Sequence, residues 1–199
     1  ALAEYTERFD RFDVEKAGLR VEHSEIEAAY EATNAETRAA LELAKERIET
    51  HHRRQMPTDT RYKDALGVEL GWRWTPVNAV GLYVPGGLAS YPSSVLMNAV
   101  PARVAGVERI TIATPTPDGR LNPLVLVAAD IAGVTEILRI GGAQAIAALA
   151  YGTETIAPVD KIVGPGNAWV SAAKRQVFGQ VGIDMIAGPS EVLVVADSE

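Results

Sequence analysis

The chain has 199 residues, 47% hydrophobic and 23% charged, with a net charge of −7 and no cysteine. That length and composition suit a globular protein with a buried core. The acidic balance without a basic stripe argues against nucleic acid, and the lack of cysteine excludes disulfides and thiolate metal sites. Every apolar run is broken by Asn, Pro, Gly or a charge, so no membrane span is expected. The first residues have neither the basic nor the apolar region of a secretory signal.

The first 78 residues read as helical. Ile26, Tyr30, Leu41, Ala44 and Ile48 recur at helical spacing among Glu, Lys and Arg. Ser24 with Glu27 reads as a capping box, placing a helix start there. Asn34 with Thr37 predicts a second start, for a helix running to about Gln55 and ended by Pro57. Gly71 to Pro76 alternates aromatic and polar residues, as a short strand or extended connector does, and Trp72 and Trp74 are expected to pack at the join between two parts.

After Pro76 the texture changes to short apolar runs punctuated by Gly and Pro. Residues 79–84, 109–113, 136–140, 161–163 and 191–196 read as strands, with helices at 93–105, 121–132, 143–150 and 168–178 between them. Strands that are apolar throughout and alternate with helices predict a parallel sheet covered on both faces. Residues 79–189 are therefore read as a Rossmann-like domain. Met97 is expected in the core, and Trp169 as an anchor for the last helix.

The chemistry is expected at the carboxyl ends of these strands, where open α/β sheets bind ligands. Tyr83-Val-Pro-Gly-Gly87 follows the first strand of the domain, with Gly86 and Gly87 permitting close backbone approach. A Gly-x-Gly-x-x-Gly run is missing there, and no acidic residue ends the second strand, where Ala113, Thr114 and Pro115 stand. Two further glycine turns open into helices: Gly141-Gly142, with Gln144 just inside the helix, and Gly164-Pro-Gly166, with Asn167 at the cap position. Such turns aim free N–H groups at an anion. Ser190 precedes the last expected strand. It has no triad partner, since the three histidines, His23, His51 and His52, all lie in the charged helical part; His51 and His52 diverge on one helix and cannot chelate one metal.

Taken in order, Tyr83-Val-Pro-Gly-Gly, Tyr91-Pro-Ser-Ser-Val-Leu-Met-Asn-Ala-Val-Pro-Ala, Ile140-Gly-Gly-Ala-Gln-Ala-Ile-Ala-Ala-Leu-Ala-Tyr-Gly-Thr-Glu, Val159-Asp-Lys-Ile-Val-Gly-Pro-Gly-Asn and Ile183-Asp-Met-Ile-Ala-Gly-Pro-Ser-Glu-Val-Leu resemble histidinol dehydrogenase. The likeness runs from end to end and includes Glu4-Tyr-Thr-Glu-Arg-Phe-Asp10. It implies a cytoplasmic, homodimeric, NAD-dependent oxidoreductase of histidine biosynthesis, taking L-histidinol to L-histidine through L-histidinal, with zinc holding the substrate and a Glu-His pair as acid and base. By motif, Tyr83, Gln144 and Asn167 are expected to contact NAD and Ser190 the substrate. No catalytic residue and no zinc ligand is assigned within this chain, because the resemblance puts both sets beyond Glu199. The chain is thus expected to be a piece of a longer protein, inactive by itself. Residues 1–78 are read as the helical part of an incomplete α/β substrate and zinc domain, and residues 190–199 as a strand returning to it. The alternatives are a nucleotide-binding module without catalysis and another α/β enzyme gripping a phosphorylated small molecule at Gly164–Asn167.

Overall fold

The computed structural model of the chain describes residues 1–86, 91–186 and 191–196. Its centre is a five-stranded, all-parallel sheet of β3 (Ala79–Tyr83), β4 (Arg109–Ala113), β5 (Glu136–Leu138), β6 (Lys161–Val163) and β7 (Gly182–Ile183), in the order β5-β4-β3-β6-β7. The chain runs outward from β3 to β5, then returns to lay β6 on the other side of β3. This is the Rossmann strand order, and its direction changes between β3 and β6.

Alternation along each strand sends side chains to two cores. Val80, Leu82, Ile110, Ile112 and Ile137 face α5 (Pro92–Val104) and α6 (Pro123–Ile131). Ala79, Tyr83, Ala113 and Leu138 face α7 (Gly142–Tyr151) and α8 (Ala168–Val177). Gly81 lies on this second side, where an added Cβ would stand 3.0 Å from a Leu149 methyl. A side chain there would push α7 off the sheet. Arg103 ties the end of α5 to the following turns through the carbonyls of Gly133, Val107 and Glu108.

The amino-terminal helices pack onto this body. α3 (His23–Ala32) lies against α6, and α4 (Ala35–Arg53) against α5 and α6, so Ala29, Tyr30, Leu41, Ala44 and Ile48 join the first core. The Tyr30 hydroxyl donates to Asp130 at 2.8 Å across the α3–α6 contact. α1 (Leu2–Asp10) packs on α7, at the opposite face. Asn34 caps α4 by accepting from the Thr37 N–H at 2.7 Å, as its sequence suggests. The capping box of α3, however, is Glu22 with Glu25 rather than Ser24 with Glu27. Glu25 has a second role there, pairing with Arg139 of the sheet body.

Several other expectations are corrected. Residues 191–196 carry no strand, and Val192, Leu193, Val194 and Val195 are exposed. A β-branched run forms a strand only where a neighbouring edge supplies its hydrogen bonds, and no described strand pairs with this one. The short strand or extended connector read at Gly71 to Pro76 is found in part: Gly71 and Trp72 end a strand in an antiparallel hairpin of β1 (Thr60–Lys63) and β2 (Glu69–Trp72). Its turn is built on Asp64, whose carboxylate accepts from the Leu66 and Val68 N–H groups. The hairpin stands off the body, so Trp72 and Trp74 are exposed instead of packed at a join. Met97 and Trp169 also lie on solvent-facing helix sides, with 65% and 75% of their surface exposed. β7, a two-residue edge strand, escaped the sequence reading.

Leu82 is fully buried in the middle strand between the sheet and α5. Leu82→Ala is expected to lower unfolding free energy by ~2–5 kcal/mol, read as a shifted denaturant midpoint at unchanged slope.

Candidate dinucleotide site

Where the direction of the sheet reverses, β3 is followed by α5 on one face and β6 by α8 on the other, the arrangement in which open α/β sheets bind ligands at the carboxyl edge. Three of the four residues expected to bind ligand lie along this edge: Tyr83 ends β3, Gln144 sits in the first turn of α7, and Asn167 precedes α8. Ser190 and Gly87 lie outside the described residues.

Tyr83 joins the turns together. Its backbone packs so closely on Gly164 that a Cβ there would lie 2.2 Å from the Tyr83 carbonyl oxygen. Gly164 also has φ +112, a conformation that glycine alone takes without strain. The Tyr83 ring is 3% exposed, and its hydroxyl accepts a hydrogen bond from the Gly142 N–H at 3.0 Å. One residue therefore sets the position of the β5–α7 turn through its hydroxyl and the β6–α8 turn through its main chain. Burial, with the nearby Asp10 charge, raises the Tyr83 pKa against the opposing Gly142 bond, so the phenol is neutral at physiological pH.

Pro115 closes the neighbouring part of the edge. A Cβ on Gly86 would meet the Pro115 carbonyl oxygen at 2.1 Å, and one on Gly141 the Pro115 ring at 2.5 Å. The end of β4, where a dinucleotide fold usually carries its ribose-binding acid, is thus filled by proline packed between two glycine turns.

At this edge two helix starts present N–H groups. The Asn167 side chain caps α8 by accepting from the Val170 N–H at 3.0 Å, while the Ala168 and Trp169 amides precede the first residue with an intrahelical acceptor. Asn167 is exposed. In α7 the N-cap is Gly141, and the Gln144 amide lies over Gly142, whose added Cβ would sit 2.7 Å from the Gln144 Oε1. Gly166 packs on Val170, leaving a bare peptide facing outward beside Asn167. Peptide dipoles and free amides of this kind favour an anion such as a pyrophosphate.

Two charged residues of the site were missed in the sequence. Lys174, 4% exposed, donates to the Gly164 carbonyl at 3.0 Å and pairs with Asp184, which accepts from the Gly164 N–H at 2.9 Å. Burial raises the Asp184 pKa, but bonds from Lys174, Met185 and Gly164 outweigh it and hold the carboxyl below its ordinary value. The available signal was Lys174 standing in the stripe of Val170 and Val177, where an apolar residue belongs. Asp10, at the carboxyl end of α1, is a further buried acid and accepts from the Thr116 N–H at 3.2 Å. Burial dominates there and raises its pKa. Among the described residues no group of three or more His, Asp or Glu side chains is placed to hold a metal.

Gly164→Ala is expected to destabilise the chain by at least about 2 kcal/mol, from the positive φ and the collision with Tyr83 together, measurable by denaturant unfolding. For Asp10 the sign is that of a raised carboxyl: its favourable neutral form contributes fully below the ordinary value of 3.8 and is lost as pH rises through the folded value. Asp10→Asn is therefore expected to gain on the parent as pH rises through that window and to hold a constant advantage at neutral pH. Thermal midpoints on either side of the carboxyl range read this difference.

The sequence model of the histidinol dehydrogenase family matches residues 1–199. The histidinol dehydrogenase of Brucella abortus (strain 2308) is 71% identical over 199 residues, which are 100% of this chain and 46% of that protein. That of Mesorhizobium japonicum is 72% identical over 197 residues, 99% of this chain and 46% of the relative. The crystal structure of histidinol dehydrogenase from Elizabethkingia anophelis superimposes with a TM-score of 0.91 at 41% identity, covering 99% of this chain and 46% of that one. The chain thus spans about half the length of the curated relatives it matches. With one family matched from the first residue to the last, and with the fold shared by a solved member, the chain belongs to the histidinol dehydrogenase family.

Proposed function

We propose that the protein carrying this chain oxidises L-histidinol to L-histidine through L-histidinal, using NAD, and that these residues hold the cofactor. The observation that carries the reading is the convergence of the Gly142 and Gly164–Asn167 turns on Tyr83 at the carboxyl edge of the sheet, in a chain matched throughout by this family. NAD fits the groups present: side-chain-free turns at Gly164 and Gly166, two helix starts, and a neutral amide on each. When bound, NAD supplies a nicotinamide ring that accepts hydride.

The roles follow from the local chemistry. Asn167 orients its amide at the start of α8 by bonding the Val170 N–H, and the amides beside it take the pyrophosphate. Gln144 offers both a donor and an acceptor to the ribose or nicotinamide amide. Tyr83 forms the floor, fixing the Gly142 peptide and backing Gly164. Ser190 is proposed to bind the substrate. Zinc belongs to the family's chemistry, but the described residues offer it no donor set, so no step through it is assigned to them. Residues 1–78 and 190–199 are proposed to belong with a second, substrate-binding domain, and the whole protein to work as a cytoplasmic homodimer. This chain by itself is not expected to turn over histidinol.

The test is made on the whole protein. Asn167→Asp keeps the helix cap, since Asn and Asp cap equally well, yet puts a carboxylate where the pyrophosphate belongs. It is expected to raise the NAD dissociation constant by about tenfold or more, with melting temperature and zinc content unchanged. Gln144→Ala is expected to weaken NAD by a smaller factor. Cofactor affinity unmoved in both variants would remove the assignment, and NAD binding without histidinol-dependent NADH formation would favour a nucleotide-binding module instead. Ser190→Ala is expected to raise KM for histidinol while leaving the NAD dissociation constant alone; the reverse pattern removes Ser190 from the substrate site.

A further inference from the structure

We propose that Lys174 and Asp184 are positioning residues for the cofactor, their ion pair clamping Gly164 so that the Gly164–Asn167 turn keeps the shape that grips the dinucleotide. The inference rests on the NAD reading above and adds the groups that hold the gripping turn in place.

The geometry is specific. Lys174 lies two turns into α8, and its side chain leans back toward the helix start, as helical side chains do. Its ammonium reaches the Gly164 carbonyl at 3.0 Å and the Asp184 carboxylate. Asp184 follows directly on β7, at the same carboxyl edge of the sheet, and its other oxygen accepts from the Gly164 N–H at 2.9 Å. Both backbone polar groups of Gly164 are therefore bound by one ion pair. The glycine they hold has φ +112 and rests against the Tyr83 carbonyl, so no other residue could sit in the clamp. At the far end of the same turn the Asn167 cap fixes the entry into α8. Four residues of chain are pinned at both ends, and the peptides between them face outward.

Two physical points favour positioning over other roles. Burying the Lys174 ammonium is a poor source of stability, since its desolvation consumes much of the attraction to the half-buried Asp184, and an apolar residue of similar volume is often as good. Lys174 occupies the apolar stripe of α8, where leucine or methionine would fill the space at less cost. What an apolar residue could not do is bond the Gly164 peptide. Direct phosphate binding by Lys174 is also disfavoured: its side chain is 5% exposed and its charge is already matched by Asp184. The lysine orders the amides that meet the anion.

The test uses the whole protein and reads NAD affinity by titration calorimetry alongside the melting temperature. Asp184→Ala, which removes the acceptor of the Gly164 N–H and the partner of Lys174, is expected to weaken NAD about tenfold. Asp184→Asn, which keeps an acceptor but not the charge, is expected to recover part of that, with a loss of about threefold. In both, KM for NAD rises while KM for histidinol does not, a split that general loosening of the fold would not produce. Folded Asp184→Ala with the parent's NAD affinity overturns the proposal. If that variant does not accumulate as folded protein, Asp184→Asn decides, and unaltered affinity in it overturns the proposal equally. Asn167→Asp and Gln144→Ala run beside them separate the failures. Loss of affinity in those two but not in the Asp184 variants ends only the positioning role, whereas no loss in any of the four ends the cofactor reading as well.

Discussion

The close approach of the Tyr83 backbone to Gly164 is the constraint on which the rest of the site depends. It exists because β3 and β6 are direct neighbours in the sheet, paired in register from Val80 with Lys161 to Leu82 with Val163. Strands that close, leaving their last residues side by side, force the two following turns to share space, and one of them must lack a side chain. Gly164 meets that demand. The Tyr83 hydroxyl then extends the same control to the α7 start through the Gly142 N–H. The placing of the two helix starts and the orientation of their amides follow from this single junction.

The fold departs from the usual dinucleotide pattern at a definable place. Ordinarily a glycine run after the first strand lets pyrophosphate approach the first helix, and an acid ending the second strand holds the ribose. Here Pro115, wedged between Gly86 and Gly141, occupies the region beyond β4. The glycine turns that open into helices stand instead at the end of β5, beyond β4, and at the end of β6, across the reversal. The acids near this edge differ accordingly: Asp184 is kept ionised by Lys174 and two N–H groups, while Asp10 has its ionised form disfavoured by burial. Two acids with the same intrinsic chemistry thus respond to pH in opposite directions, because the ammonium and N–H groups outweigh desolvation at Asp184, whereas desolvation outweighs the Thr116 N–H and the Arg11 charge at Asp10.

Much of the organisation was legible in the residues. β4 and β6 fall where apolar, β-branched runs between turn residues put them, and β3 differs by one residue at its end. The Asn34 and Asn167 caps were readable because a cap is a local bond, complete within four residues of chain. The ordered motifs identified the family for the same reason: they are contiguous. Partner-dependent features were harder to read. Residues 191–196 have the composition of a strand, but composition supplies only one side of a ladder. Trp72, Trp74, Met97 and Trp169 are large and apolar, yet lie exposed because hydrophobicity alone does not say which side of an element faces the body.

By itself the sequence determined the alternation of strands and helices, the places where glycine turns interrupt them, and the membership that those turns announce. Periodicity and turn chemistry act over a few residues, so these properties are written wherever the residues stand. Only the tertiary structure decided that β6 returns to lie beside β3, that Tyr83 would meet Gly142 and Gly164, and that Lys174 would find Asp184. Those meetings join residues from separate elements, and for a lysine set among valines the charge that makes its burial tolerable becomes visible only once the chain has closed upon itself.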